Sequence, residues 1–237
     1  MRRAGETWSA ISRALGVSVS QLILWSRDPD AVARRRAACH RCGNALLPRM
    51  QYSALLGFYL GDGHISRAPR YYRLRITCDQ SMPGIIRDVV DCIGAVRPSG
   101  KIFLSSHPGA VDVISNWQHW PCLFPQHGPG RKQERPIALE DWQRRVVADH
   151  QAHFLRGPFH SDGCRVTNST CKVIAGAPKR YEYPRWQFVN ASADIRALCC
   201  WALDLAGVAW RQSNPRVISV SRREAVAALD ALIGLKS

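Results

Sequence analysis

The chain has 237 residues and a formal charge of +15, from 33 Lys and Arg against 18 Asp and Glu. This surplus, 28 of the 33 being Arg, excludes an ordinarily balanced surface and points to a phosphate-dense partner, whose oxygens the planar guanidinium pairs bidentately. With no run of about 18 apolar residues, no apolar leader core and an odd count of nine Cys, the chain is expected to span no membrane, to carry no disulfide framework and to sit in a reducing cytoplasm, near the nucleoid.

In chain order, residues 1–47 read as a small helical unit with a Cys-bearing tail. Ala10, Ile11, Ala14 and Leu15 recur at helical spacing, Gly16 supplies a turn, and Ser18 with Gln21 forms a capping box for a second helix holding Leu22 and Trp25. An Arg run, Arg34 to Arg36, leads to Cys39-His-Arg-Cys42. That spacing is half of a zinc site, which needs four ligands, so His40 or Cys and His from elsewhere must complete it.

Residues 48–124 and 139–237 read as two segments of the same order, joined by a Pro/Gly/basic linker over 125–138. The first opens on Leu55-Leu-Gly-Phe-Tyr-Leu-Gly-Asp-Gly63, the second on Leu155-Arg-Gly-Pro-Phe-His-Ser-Asp-Gly163. Both are helix-like runs, and Gly63 and Gly163 stand where a helix end favours positive φ. Each run is followed by a strand (Tyr72–Thr77; Arg185–Val189) and a helix. Ser81 and Ser192 are the expected N-caps, and Gly94 and Gly207 the expected stops. A hairpin and a last helix then close each segment, with Ser221 and Glu224 as a capping box in the second. The order α-β-β-α-β-β-α therefore occurs twice.

The paired motifs resemble those of the two-motif, monomeric LAGLIDADG homing endonucleases, from about residue 50 to the end. The N-terminal part is similar to a helix-turn-helix, and the whole resembles free-standing bacterial helix-turn-helix/LAGLIDADG proteins. The resemblance implies an α+β fold, two αββαββα repeats forming a pseudo-twofold saddle. Gly57 with Gly61, and Gly157 with Ser161, place small residues four apart on one helix face, so that two helix backbones approach closely. Asp62 and Asp162 would then meet at two negative helix ends. A divalent cation relieves that repulsion, and hard oxygen donors suit Mg²⁺. The resemblance makes Asp62 and Asp162 the catalytic pair and, with Gly61 and Ser161, the metal site of a Mg²⁺-dependent double-strand DNA endonuclease.

The strands fit duplex DNA as the partner. Arg73 and Arg75 share one face of their strand, Arg185 and Gln187 one face of theirs, and these side chains read guanine and adenine in the major groove. Lys172, Lys179 and Arg180 on an expected loop over 168–183 extend the phosphate contacts, and Ser20, Gln21 and Arg27 are the DNA-facing candidates of the helix-turn-helix. Three features depart from an active enzyme of this kind. Pro158 falls inside the second motif helix. His160 stands where the family often carries an acid. Arg222 or Arg223 is the candidate basic group of the second repeat, and none is evident in the first. Asn190 and either Asp79 or Gln80 are candidates to position water. A regulator that keeps the fold as a recognition scaffold is the alternative, and RNA maturation a third reading.

Overall fold

The computed structural model describes residues 5–28, 30–43, 45–174 and 177–236. The chain forms two compact units, Met1–Leu46 and Leu47–Ser237.

In the first unit α1 (Trp8–Leu15) and α2 (Val19–Arg27) are capped by hydroxyls. Thr7 Oγ1 accepts from the Ala10 N–H and Ser18 Oγ from the Gln21 N–H, while Gly16 ends α1 at a φ of 64°. The expected apolar face of α1 is thinly covered. Ile11 is half-buried, but Ala10, Ala14 and Leu15 are exposed, because so short a unit has little chain to lay over them. Leu22 of α2 and Cys39 are the buried apolar residues among those described here. The Arg run lies on a third helix, α3 (Ala31–Ala37), where Arg34 pairs with Asp28.

The second unit repeats one order twice. The first copy runs α4 (Arg49–Leu60), β1 (Gly63–Ala68), β2 (Tyr71–Asp79), α5 (Pro83–Val96), β3 (Ile102–His107), β4 (Ala110–Trp117) and the short α6 (Trp120–Leu123). A 3-10 turn, Lys132–Glu134, and a helix not foreseen from sequence, α7 (Asp141–Asp149), come between the copies. The second copy runs α8 (Gln151–Ser161), β5 (Gly163–Ile174), β6 (Ala177–Val189), α9 (Ala193–Leu205), β7 (Arg211–Asn214), β8 (Val217–Val220) and α10 (Arg223–Ile233). Each copy builds an antiparallel four-stranded sheet, ordered β1-β2-β4-β3 and β5-β6-β8-β7. The expected α+β class with two αββαββα repeats is the fold observed.

Several local expectations are corrected. Ser81 is not an N-cap: α5 starts at Pro83, and the Ser81 hydroxyl and N–H both bond Asp79 Oδ1. Ser192 does cap α9. Gly94 does not end α5, which runs on to Val96, whereas Gly207 turns the chain after α9 at a φ of 68°. The Ser221–Glu224 box does not form, since Arg222 is the N-cap of α10 and has no side-chain cap bond. Gly63 and Gly163 are not at positive φ. They open β1 and β5, where a Cβ would lie 2.4 Å from the Tyr59 Cα and from the Phe159 carbonyl oxygen respectively, so closeness to the preceding turn demands glycine. The segment expected as a loop over 168–183 is a long hairpin of paired strand, Asn168 opposite Tyr183 and Lys172 opposite Lys179.

The core of this unit is organised by α4 and α8. Every residue of α4 from Tyr52 to Leu60 is buried, the pattern of a helix enclosed on all sides. Where the two helices cross, a Cβ on Gly157 would lie 2.3 Å from the Gly57 carbonyl carbon and the Phe58 nitrogen, and one on Gly57 would lie 2.3 Å from the Phe154 oxygen. Pro158 belongs to this contact. It has no N–H to offer Phe154 O, the carbonyl that faces Gly57, and its Cδ would be 2.8 Å from that added Cβ. The helix nevertheless continues unbroken through Pro158, with Asp162 N–H donating to Pro158 O at 2.9 Å. Arg156 of α8 ties the repeats together, bonding Asp88 of α5 and the Ile233 carbonyl of α10.

The second sheet is fastened to α10 through Asp230. Its carboxylate accepts from the Arg165 guanidinium (2.9–3.2 Å) and from Trp186 Nε1 (2.7 Å). Burial pushes this carboxyl up, but the bonds from Arg165 and Trp186 outweigh it and hold it below its usual range.

Gly157→Ala should lower stability by about 3 kcal/mol or more, because backbone rather than a flexible side chain blocks the methyl. Gly94→Ala, whose nearest neighbour is Ile102 Cδ1 at 3.9 Å, should raise it by about 0.5–1 kcal/mol through helix propensity alone. Urea unfolding compares them. Asp230→Asn should lose about 1–3 kcal/mol at neutral pH. A depressed carboxyl stabilises the fold above its unfolded pKa, so the gap from the native chain should narrow as pH falls below about 4.

Candidate metal centre and basic sheet faces

Each motif helix ends in a carbonyl followed by an aspartate, and the crossing of the helices exchanges them. An added Cβ on Gly61 would meet the Ser161 Cβ at 2.5 Å, its Oγ at 2.7 Å and Asp162 Oδ2 at 3.7 Å. One cavity, of about 480 Å³, is lined by Gly61 and Asp162 together with Lys132 and Asn190. A second, of about 130 Å³, is lined by Asp62 and Ser161 together with Lys236 and His160. Each cavity thus joins the carboxylate of one repeat to the motif end of the other. These are hard oxygen donors of the type Mg²⁺ takes, and the glycine leaves a cradle that a side chain would fill.

Desolvation in the seam pushes the Asp62 carboxyl up to about 6. Repulsion from Asp162 adds to the rise, and Lys132 and Lys236 restrain it. Asp162 is raised by the same desolvation, against the Asn190 amide, which donates to Asp162 Oδ2 at 2.6 Å, and against both lysines. Burial brings Lys132 down to about 8, opposed by Asp162 and Asp62.

The halves differ at the strand residue that stands beside each carboxylate. Thr77 N–H donates to the Asp62 carbonyl and Val189 N–H to the Asp162 carbonyl, so the residues that follow, Cys78 and Asn190, are counterparts. Asn190 engages Asp162 directly. Cys78 is a buried thiol pushed up to about 12 by burial and by the nearby Asp62 and Asp112, and it offers Asp62 no amide. Of the other water-positioning candidates, Asp79 holds Ser81 and lines the smaller cavity, while Gln80 N–H donates to Gly109 O.

The basic group expected of the second repeat at Arg222 or Arg223 is not at either cavity. Both arginines are exposed at the start of α10 and line neither cavity. Lys132, from the stretch between repeats, and Lys236, from the tail, line the two cavities instead. Neither carries a motif signal, because each is brought in by the return of the chain after a repeat has closed. His160, the residue beside the motif acid, is buried with its pKa pulled down to about 4 by burial, and its Nε2 lies 3.3 Å from Gly234 O.

The sheet faces away from the helices are basic in both repeats. Gly63 pairs with Ile76 and Gly163 with Phe188, which makes Arg73 equivalent to Arg185 and Arg75 to Gln187. On β2 Leu74 and Ile76 are buried and Arg73 and Arg75 exposed. A dish of about 340 Å³ is lined by His64, Ser66, Arg73, Arg75, Asp112 and Ile114. Asp112 is its acid, accepting from Thr77 (2.7 Å) and lying 3.0 Å from His107 Nε2 and 3.8 Å from Arg75. On β6 the Arg185 Nε is buried and finds no partner among the described residues. Lys179 and Arg180 are exposed at the far end of the hairpin, and the Lys172 side chain lies outside the described residues.

In the first unit Ser20, Gln21 and Arg27 are exposed on α2. Cys39 is buried, its Sγ accepting from the N–H groups of Arg41 (3.5 Å) and Cys42 (3.3 Å), and His40 Nδ1 lies 3.1 Å from Ala45 O. In the second unit His119 and Cys122 are likewise two residues apart in between, with Sγ 3.7 Å from Nδ1.

Two sheets of identical topology, hung from a glycine-packed pair of helices that end in exchanged carboxylates, define the LAGLIDADG fold. Among solved structures the chain is similar to the homing endonuclease I-DmoI in complex with DNA and Mn, at 13% identity and a TM-score of 0.51, covering 80% of this chain and 98% of that one. It is also similar to the LAGLIDADG meganuclease I-AabMI bound to uncleaved DNA (12%, TM-score 0.48, covering 76% and 82%) and to the N-terminal LAGLIDADG domain of DUF199/WhiA (12%, TM-score 0.47, covering 80% and 83%). No protein-family model and no curated relative matches the sequence. Similarity at this identity establishes the fold. Among the described residues no helix is long and apolar enough to cross a membrane.

Proposed function

We propose that this chain is a monomeric, sequence-specific duplex-DNA-binding protein that hydrolyses phosphodiester bonds at the Asp62/Asp162 seam with a divalent cation. The observation that carries the reading is the repeat-related placement of Arg73 with Arg185 and Arg75 with Gln187 on two open sheet faces flanking the exchanged carboxylates. Arg and Gln so placed match the acceptor and donor edges of guanine and adenine. Lys172, Lys179 and Arg180 on the hairpin add phosphate contacts, as do Ser20, Gln21 and Arg27 of a helix-turn-helix. I-DmoI, solved in complex with DNA and Mn, is the precedent for a DNA partner.

When bound, Mg²⁺ activates water and stabilises the leaving oxygen. Asp62, Asp162 and the Gly61 and Ser161 carbonyls are the groups to hold it, and Asn190 orients Asp162. A second reading, DNA recognition without cutting, is favoured by Cys78 standing where the other repeat has Asn190. A DNA partner places the protein in the cytoplasm, on the nucleoid. Cys39 and Cys42 are proposed as two of four zinc ligands, completed by Cys and His from elsewhere in the chain.

Randomised duplex incubated with protein and Mg²⁺ should be cut, and Asp62→Asn should abolish the cuts while retention on gel shift persists. Retention without cuts by the native chain would instead select the regulator. Arg73→Ala with Arg185→Ala should weaken binding about tenfold or more and reduce the salt slope by about two units, measured by anisotropy. The purified chain should carry one zinc by mass spectrometry, and Cys39→Ser should remove it.

A further inference from the structure

Asp112 of β4 stands among the arginines of the first sheet's open face. It is buried, yet two of the groups it gathers, Arg75 and His107, are half-exposed. Its Oδ1 accepts from the Thr77 hydroxyl at 2.7 Å, and its Oδ2 lies 3.0 Å from His107 Nε2 and 3.8 Å from Arg75 Nη1. Burial pushes this carboxyl up, but the bonds from Thr77 and His107 and the charge of Arg75 outweigh it and hold it below its usual range. The two arginines of β2 differ in what they have left to give. Arg73 spends Nε on Asn116 Oδ1 and Nη2 on the Tyr71 hydroxyl, both at 3.3 Å. Arg75 lies beyond hydrogen-bond reach of Asp112 and makes no hydrogen bond among the described residues, so charge holds it while its donor fork stays unspent. His64 faces Arg75 across β1 and β2, and Asp79, the other acid on this face of β2 and β4, is taken up by Ser81.

The fold does not require Asp112. Thr77 and Asp112 are cross-strand partners, and since Ile76 corresponds to Phe188, the matching pair of the second repeat is Val189 and Val217. Two valines hold the one sheet where the other desolvates a carboxylate, so stability does not explain the acid. Affinity for a polyanion does not explain it either, because a carboxylate repels phosphate. We infer, resting on the duplex-DNA reading proposed above, that Asp112 is a positioning residue that sets the base specificity of the first repeat, holding the Arg75 guanidinium over the dish for a guanine and away from phosphates. A tethered fork meets the O6 and N7 acceptors of guanine together, whereas a loose one swings to the nearest phosphate and reads nothing. The second repeat carries Gln187 at the Arg75 position and Val217 at the Asp112 position. The two halves of the preferred target therefore differ at matching positions.

The test selects from a library of randomised duplexes with the full chain in chelator, so that binding is read without cutting. The wild type should enrich guanine at one position, and Arg75→Ala should lose that preference alone. Asp112→Asn, which still accepts from Thr77, should lower the same preference about tenfold and leave the other positions unchanged. It should also steepen the salt slope on non-specific duplex by about one unit, as Arg75 goes over to phosphate. Asp112→Val, the second repeat's own residue, should behave alike. A folded Asp112→Asn that keeps the guanine preference, or that weakens specific and non-specific binding evenly as a merely structural acid would, overturns the inference and leaves the DNA reading intact. So does a wild type without an Arg75-dependent guanine, a result that needs no change at Asp112. A wild type that retains no duplex at all overturns both.

Discussion

The architecture of the second unit depends on the approach of two helix backbones at Gly57 and Gly157. With no side chain at either position, α4 and α8 touch through main-chain atoms, and an added methyl would lie 2.3 Å from the opposite strand of peptide. That closeness makes the exchange of aspartate and carbonyl between repeats geometrically available. It also sets the spacing of the two sheets, since β1 and β5 leave directly from the ends of these helices through Gly63 and Gly163. Pro158 sits inside the contact, where a missing N–H matters least: the carbonyl it would have served faces the bare backbone of Gly57.

Charge is sorted along this frame. The sheet faces carry arginines whose acidic partners are few, whereas acids that do pair are used as fasteners. Asp88 takes Arg156, Asp230 takes Arg165 and Trp186, and Asp112 gathers Thr77, His107 and Arg75. The seam combines like charges with unlike ones: desolvation raises both carboxyls, and two lysines restrain the rise. The repeats are alike in backbone and unlike in chemistry here. An amide bonds one carboxylate and a thiol stands in its place beside the other, so the two halves of the centre are inequivalent.

What was legible in the sequence was what repeats or what is local. The duplicated order, the glycine spacing, the alternation of Arg with Leu and Ile on β2, and the hydroxyl caps at Ser18 and Ser192 all express themselves within a few residues. Gly63 and Gly163 were misread because glycine answers two demands, positive φ and lack of a Cβ, and the sequence does not say which. Ser81 and Ser221 failed as caps because each helix starts one residue later, with Met82 and Arg222 at the cap positions. Lys132 and Lys236 were illegible in principle. Their place at the seam depends on how the chain returns after a repeat is complete, and nothing within their own neighbourhoods marks it.

The β5–β6 hairpin carries a consequence of its own. Its strands pair with each other from Gly163–Phe188 out to Ile174–Ala177, but β8 accompanies β6 only from Trp186 to Val189. Beyond that point, among the described residues, the ribbon has two strands and no third, and an isolated pair of strands is marginally stable in water. The seven steps from Thr167 to Ile174 reach roughly 23 Å at the rise of an extended chain, close to the axial length of seven base pairs. The first repeat has no such arm, since β1 and β2 turn at Ala68 and Tyr71. The second unit is therefore lopsided, its second repeat extending an arm that its first repeat lacks.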